Sequence, residues 1–131
     1  MNRILLDTNA FRKLFEEDEK VVKKIFAAVE VYASPIVIGE LYYGYIGGSR
    51  EASNREWLQK AILILDMEVV SIDKETADVY ARIKEGLRKK GKPIPTNDIW
   101  IAAQAMELGA KLVTFDGHFK EIAGLRLWEG I

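Results

Sequence analysis

Cysteine is missing from this chain of 131 residues, and histidine occurs once, at His118. No disulfide, thiol nucleophile, zinc finger or iron–sulfur cluster can therefore be built, and the lack of cysteine is compatible with a reducing compartment. Nowhere do about 18 apolar residues run together, so no membrane span and no membrane partner are expected. The opening stretch, Met1-Asn2-Arg3-Ile4-Leu5-Leu6-Asp7, has too short an apolar run for a signal peptide. Excess charge of either sign is absent too. Nineteen Lys and Arg against 20 Asp and Glu leave a net charge of −1. No global field draws the protein to nucleic acid, and polyanion binding would have to come from local patches. The expectation is one soluble cytoplasmic domain spanning residues 1–131, large enough to bury a core without staples.

What is present is an alternation of two segment types. Short apolar runs, Arg3 to Leu6, Glu30 to Ala33, Glu68 to Ile72 and Lys111 to Phe115, have the length of buried strands, and a weaker fifth runs from Leu125 to Trp128. Longer stretches between them carry helical spacing. Ile99, Ala102, Ala103 and Met106 fall on one helix face, as do Ala77, Tyr80, Ala81, Lys84 and Leu87, and again Trp57, Ala61, Ile64 and Leu65. Ser34-Pro35 reads as a helix start, Thr96-Asn97-Asp98 offers three capping side chains, and Gly91 and Gly109 read as helix stops. Strands alternating with helices predict an α/β fold with a mainly parallel sheet covered on both faces. In such sheets the ligand site lies beyond the carboxyl ends of the strands, where strand order reverses.

Four acids sit where that rim would be. Asp7 directly follows Ile4-Leu5-Leu6; it can cap the next helix, but Thr8 and Asn9 can do so instead and leave it free. Glu40 lies in Ile36-Val37-Ile38-Gly39-Glu40-Leu41-Tyr42-Tyr43, a helix apolar nearly all round. A carboxylate buried there needs a partner, and the ordinary explanations are an ion pair with Arg or Lys or exposure on a narrow polar strip. Asp98 stands in the first turn of a helix, where dipole complementarity alone would account for it. Asp116 ends a strand and precedes Gly117, as an Asp-Gly turn would. If they converge, each carboxylate pair about 4 Å apart repels by about 4 kcal/mol at an effective dielectric of about 20. Only cations make such a cluster tolerable. Oxygen ligands without His or Cys select Mg²⁺ or Mn²⁺, and carboxylate-held Mg²⁺ suits phosphate chemistry.

Asp7-Thr8-Asn9 after the first strand, Glu40-Leu41 with Gly44, Asn97-Asp98 followed by Ile101-Ala102-Ala103, and Thr114-Phe115-Asp116 with Phe119 resemble the PIN-domain ribonucleases. The likeness is to the VapC toxins of bacterial and archaeal toxin–antitoxin pairs, and it runs in the family's order over essentially the whole chain. The resemblance implies a three-layer α/β/α sandwich with a five-stranded parallel sheet. It implies Mg²⁺- or Mn²⁺-dependent hydrolysis of RNA with 5′-phosphate and 3′-hydroxyl products, a homodimer, and inhibition by a cognate VapB-like antitoxin. By position, Asp7, Glu40 and Asp98 match the acids that hold the catalytic metal, and Asp116 matches a fourth, more variable one. Thr8 and Asn9 match neighbours that orient the first Asp, Thr114 matches a polar residue lining the site, and Asn97 precedes the third acid. Val37 departs from the pattern, since many members carry Ser or Thr there.

Other features are weaker. Lys89, Lys90 and Lys92 lie in a basic stretch that is either a solvated helix face or a rim guiding RNA, and Arg12 and Lys13 are similar candidates. His118 is read as a loop histidine, and Trp57, Trp100 and Trp128 as packing residues. Tyr42, Tyr43, Tyr45 and Ile46 are read as a share of a dimer or antitoxin surface. Two alternatives to the toxin stand beside it. One is an RNA-processing nuclease of the same fold outside any toxin pair. The other is an Asp-nucleophile phosphatase, against which Asn9 occupies the position where a second Asp is wanted.

Overall fold

The computed structural model describes residues 2–131. In chain order the elements are β1 (Arg3–Leu6), α1 (Thr8–Phe15), α2 (Glu19–Ala27), β2 (Glu30–Ala33), α3 (Pro35–Tyr45), α4 (Glu51–Ile64), β3 (Glu68–Val69), α5 (Lys74–Lys90), α6 (Thr96–Leu108) and β4 (Lys111–Val113), followed by a 3₁₀ turn over Gly117–Glu121. The strands form one parallel sheet in the order β3-β2-β1-β4. β1 is central, and its Ile4, Leu5 and Leu6 are fully buried. Burial on both faces is what a continuous apolar run requires and what helices on both sides of the sheet supply. The chain moves outward from β1 through β2 to β3, then returns to place β4 on the other side of β1. The strand order thus reverses between β1 and β4, and Asp7 and Thr114 follow the carboxyl ends of those two strands.

The expected five strands become four. Leu125–Trp128 touches the sheet at a single bridge, Leu112 to Leu127. Two hydrogen bonds flank it, from Leu112 N–H to Arg126 O (2.9 Å) and from Trp128 N–H to Leu112 O (3.1 Å). β3 is shorter than Glu68–Ile72, because Asp73 already caps α5 through a reciprocal pair with Thr76. β4 stops at Val113 rather than Phe115: the Thr114 carbonyl accepts from the Trp128 indole N–H at 2.6 Å and leaves the ladder.

Helix faces show a second set of differences. In α6 Ile99, Ala102 and Ala103 are buried as expected, and Gly109 and Gly91 close α6 and α5 in the left-handed conformation that glycine tolerates. α5 turns a different face inward: Thr76, Ile83 and Leu87 are buried, while Ala77, Ala81 and Lys84 are exposed. Ile64 at the end of α4 is 76% exposed. α3 is apolar all round in sequence, yet Pro35, Gly39 and Tyr43 form an open stripe on it. α6 has Pro95 as its N-cap with no side-chain capping bond, so Thr96, Asn97 and Asp98 are not spent on the helix end.

One buried polar side chain ties three elements together. Gln104 of α6 accepts from the Ser34 hydroxyl at 2.5 Å and donates to Val70 O at 3.2 Å. Ser34 also caps α3, accepting from Ile36 N–H at 3.1 Å. Gln104 thereby fixes the height of α6, and so of Asp98, against the strand end from which α3 carries Glu40. Gln104→Ala should lower stability by about 2–4 kcal/mol in urea denaturation, combining a cavity with unpaired buried groups. A loss below about 0.5 kcal/mol, the size of a surface change, would contradict this role.

Candidate active site

Asp7 is only 5% exposed, held between two strand ends and the start of α1. It is itself the N-cap of α1: its Oδ1 accepts from Thr8 N–H at 2.7 Å. Thr8 and Asn9 therefore do not replace it as caps. Its Oδ2 accepts from the Thr114 hydroxyl at 2.8 Å, and its own N–H donates to Val113 O at 3.0 Å. Thr114 is buried and pinned in turn by Trp128, so the carboxylate is held from both strands of the reversal point.

Glu40 faces Asp7 from α3. The Thr8 hydroxyl donates to its Oε1 at 2.6 Å, and Asn97 Nδ2 approaches its Oε2 at 3.4 Å. No cation pairs with it among the described residues, so the expected ion-pair explanation for Glu40 does not hold. Asn9 plays a different part, accepting from Phe115 N–H at 3.2 Å and tying α1 to the segment after β4. Asp98 enters from the first turn of α6 and Asp116 from the turn after β4, where its N–H donates to the Thr114 hydroxyl at 3.1 Å. An open cleft of about 610 Å³ is lined by Asp7, Glu40, Asp98 and Asp116, with Thr8, Asn9 and Asn97 in its wall.

The electrostatics follow from this crowding. Burial pushes the Asp7 carboxyl up from 3.8 to about 6; the Thr114 and Thr8 hydrogen bonds oppose the rise, while the charges of Asp98 and Glu40 add to it. Asp98 is also raised, first by burial, with His118 pulling the other way and Glu40 and Asp116 adding. The four acids feel one another across one space, and an oxygen-rich set of this kind fits a hard divalent cation.

His118 belongs to the same cluster, which the reading of it as a loop residue missed. Its Nδ1 lies 2.9 Å from Asp116 Oδ1 and its Nε2 lies 2.7 Å from Asp98 Oδ2. The second contact is short but off the N–H direction, leaving Nε2 without an aligned hydrogen bond. One ligand atom each from Asp98, Asp116 and His118 falls within 4.8 Å of the others. The available signal was position alone: two residues after Asp116, the ring must share its turn.

The basic candidates separate. Arg12 lines the cleft. Lys13 lies 5.8 Å from the Phe115 ring centroid and 3.9 Å from Glu16. Lys90 is 3.3 Å from Glu121 and donates to that residue's carbonyl at 2.7 Å, away from the acids. Lys89 and Lys92 are exposed and are not among the residues lining the cleft. Of the tryptophans, Trp128 is buried, while Trp57 and Trp100 stack on Phe15 and Tyr80 at ring separations of 5.0 and 4.0 Å. Tyr43 and Ile46 are 81% and 59% exposed.

A family model described as PIN domain matches residues 4–125. The chain belongs to the PIN-domain family. Among its relatives, Ribonuclease VapC1 of Haemophilus influenzae is 30% identical over 132 residues, covering 95% of each chain. Ribonuclease VapC5 of Mycobacterium tuberculosis is 25% identical over 120 residues, covering 92% of this chain and 87% of the relative. Among solved structures, the DNA-bound VapBC of Salmonella typhimurium superposes with a TM-score of 0.85 at 26% identity, covering 98% of both chains. The fold and VapC-type ribonuclease membership drawn from the residue pattern are thereby shown, the sheet having four strands in place of five.

The buried PIN-domain carboxylate has a stability consequence. Asp7 is raised from 3.8 to about 6 in the fold. The metal-free fold therefore binds a proton more tightly than the unfolded chain does, and this group's contribution to stability falls as pH rises through that window. At neutral pH the ionised form costs up to about 3 kcal/mol. Asp7→Asn should accordingly stabilise the metal-free protein at pH about 7.5, with the advantage shrinking below pH about 6 and disappearing below about 4. Urea denaturation of both proteins in EDTA across that range checks it, and a variant less stable than wild type at pH about 7.5 would contradict it.

Proposed function

We propose that this PIN domain, a single unit over residues 1–131, is the toxin of a VapBC-type pair and cleaves RNA with Asp7, Glu40, Asp98 and Asp116 holding Mg²⁺ or Mn²⁺. The observation that carries the reading is the convergence of these acids on one cleft with Asp7 buried and proton-hungry. The fit to a cation is chemical: carboxylate donors, no thiolate, and acids whose mutual repulsion a divalent positive charge would relieve. Bound there, the ion would supply a polarised water and neutralise charge on the scissile phosphate.

The chain's own residues do the rest. The Thr8 N–H and the Thr114 hydroxyl fix both oxygens of Asp7, so its outward lone pairs have one direction. The Thr8 hydroxyl and Asn97 hold the two oxygens of Glu40. A carboxylate at the cleft wall accepts the proton of the attacking water, and attack in line with the leaving 3′ oxygen gives 5′-phosphate and 3′-hydroxyl ends. An RNA strand enters from the open side of the cleft.

A VapB-like antitoxin is the protein partner this reading requires. Support comes from the VapBC complex among the similar structures. It comes too from a groove beside the cleft lined by Phe11, Phe15, Leu41 and Tyr45. A homodimer is the assembly we propose. No helix among the described residues is long and apolar enough to cross a membrane, and an RNA substrate supports a cytoplasmic site of action.

Purified Asp98→Asn protein, checked for an unchanged circular dichroism spectrum, should lose RNA cleavage by more than about 100-fold, and EDTA should abolish cleavage by the wild type. Full activity in the variant, or cleavage unaffected by EDTA, would refute the site.

A further inference from the structure

Every acid of the cleft has a hydrogen bond or a charge partner, whereas one residue in its wall has neither. Arg12, about one turn into α1 on its exposed side, is the single cation among the residues lining the cleft. It takes part in none of the ion pairs formed by the described residues, although four carboxylates share its cleft. Its side chain is exposed and makes no hydrogen bond among those residues. A charge-assisted bond to a carboxylate is open to a guanidinium on such a wall, and Arg12 makes none among the described residues.

The opposite wall is α3, and it is shaped for an extended chain. Gly39 and Gly44 both line the cleft although glycine is a poor helix former. A side-chain carbon at Gly39 would meet nothing within 4 Å, and one at Gly44 would meet only the Arg12 guanidinium, at 4.0 Å. Between them, one turn beyond Glu40, Tyr43 holds its ring 81% exposed at the same cleft. An aromatic ring left in water in the same cleft as an unspent guanidinium and a bare helix backbone is the combination that single-stranded nucleic acid uses, with the ring taking a base and the cation taking a phosphate.

We propose that Arg12 anchors the phosphate next to the scissile one and that Tyr43 stacks the adjoining base, so that these two side chains set where the strand lies in the cleft. This rests on the ribonuclease reading above. The acids and their ion act on one phosphate; a strand laid across four carboxylates needs a second positive charge for the next, and Arg12 supplies it. The two residues set affinity and register rather than chemistry.

The test is steady-state cleavage, with Mn²⁺, of a short fluorescein-labelled single-stranded RNA of mixed sequence. Arg12→Gln should raise KM about tenfold with kcat within about twofold, and should reduce the slope of log KM against log salt by about 0.7, one phosphate contact on a single strand. Tyr43→Ala should raise KM about tenfold and Tyr43→Phe should leave it unchanged, because stacking needs the ring and not the hydroxyl. Both side chains are solvent-exposed, so folding is not at stake. An unchanged KM and salt slope in Arg12→Gln, a fall in kcat at constant KM, or an effect in only one of the two positions overturns the clamp. So does an Arg12→Gln protein that cleaves normally but binds a purified antitoxin more weakly. Wild-type protein that cleaves no RNA would instead overturn the ribonuclease reading on which the clamp is built.

Discussion

A carboxylate placed at the end of the central strand, buried and short of positive charge, is the constraint that organises this molecule. Asp7 lies where β1 and β4 part, and it is nine-tenths or more out of water. Charge there is expensive, and the protein answers with geometry rather than with a salt bridge. A hydroxyl from the neighbouring strand end and a backbone N–H from the helix it caps receive the two oxygens. These bonds lower the cost of ionisation without cancelling it, since burial still dominates. The remaining deficit is what a cation held there, as proposed above, would offset.

The support for that carboxylate runs outward through the fold. Trp128 near the chain's last residues donates to the Thr114 carbonyl, so the segment that fails to make a full strand instead locks the residue that locks Asp7. Asn9 holds the Phe115 backbone, and Phe115 meets Trp128 edge to face at 5.3 Å between ring centroids. On the other side Ser34 and Gln104 couple the α3 start to α6, whose N-terminus is left without a side-chain cap. Asp98 and Asn97 are thus available to the cleft because Pro95, and not one of them, begins the helix. Local stability has been given up at a helix end to keep polar groups free for chemistry.

Much of this was legible in the sequence. Apolar runs of strand length alternating with helical stretches pointed to the parallel sheet, acids at the ends of two such runs put Asp7 and Asp116 on its carboxyl rim, and four motifs in order carried the family resemblance. What was not legible depends on long-range geometry. The inward face of α5 is set by packing on α6, and Ala77, Ala81 and Lys84 satisfy helical periodicity as well as Thr76, Ile83 and Leu87 do. The edge segment near Leu127 has a strand's composition and only one residue's worth of pairing. His118 gave no pattern, because its two acidic partners come from different elements. Arg12 and Lys90 look alike in sequence; only the fold puts the first in the cleft and ties the second to Glu121.

The central claim is that a divalent ion sits among these acids with Asp7 as one of its ligands. Diffraction from crystals soaked in Mn²⁺, recorded at a wavelength where manganese scatters anomalously, addresses it directly. The account predicts an anomalous peak in contact with the carboxylates of Asp7 and Asp98. A crystal saturated with Mn²⁺ that shows its peaks elsewhere and none between those two residues would contradict it.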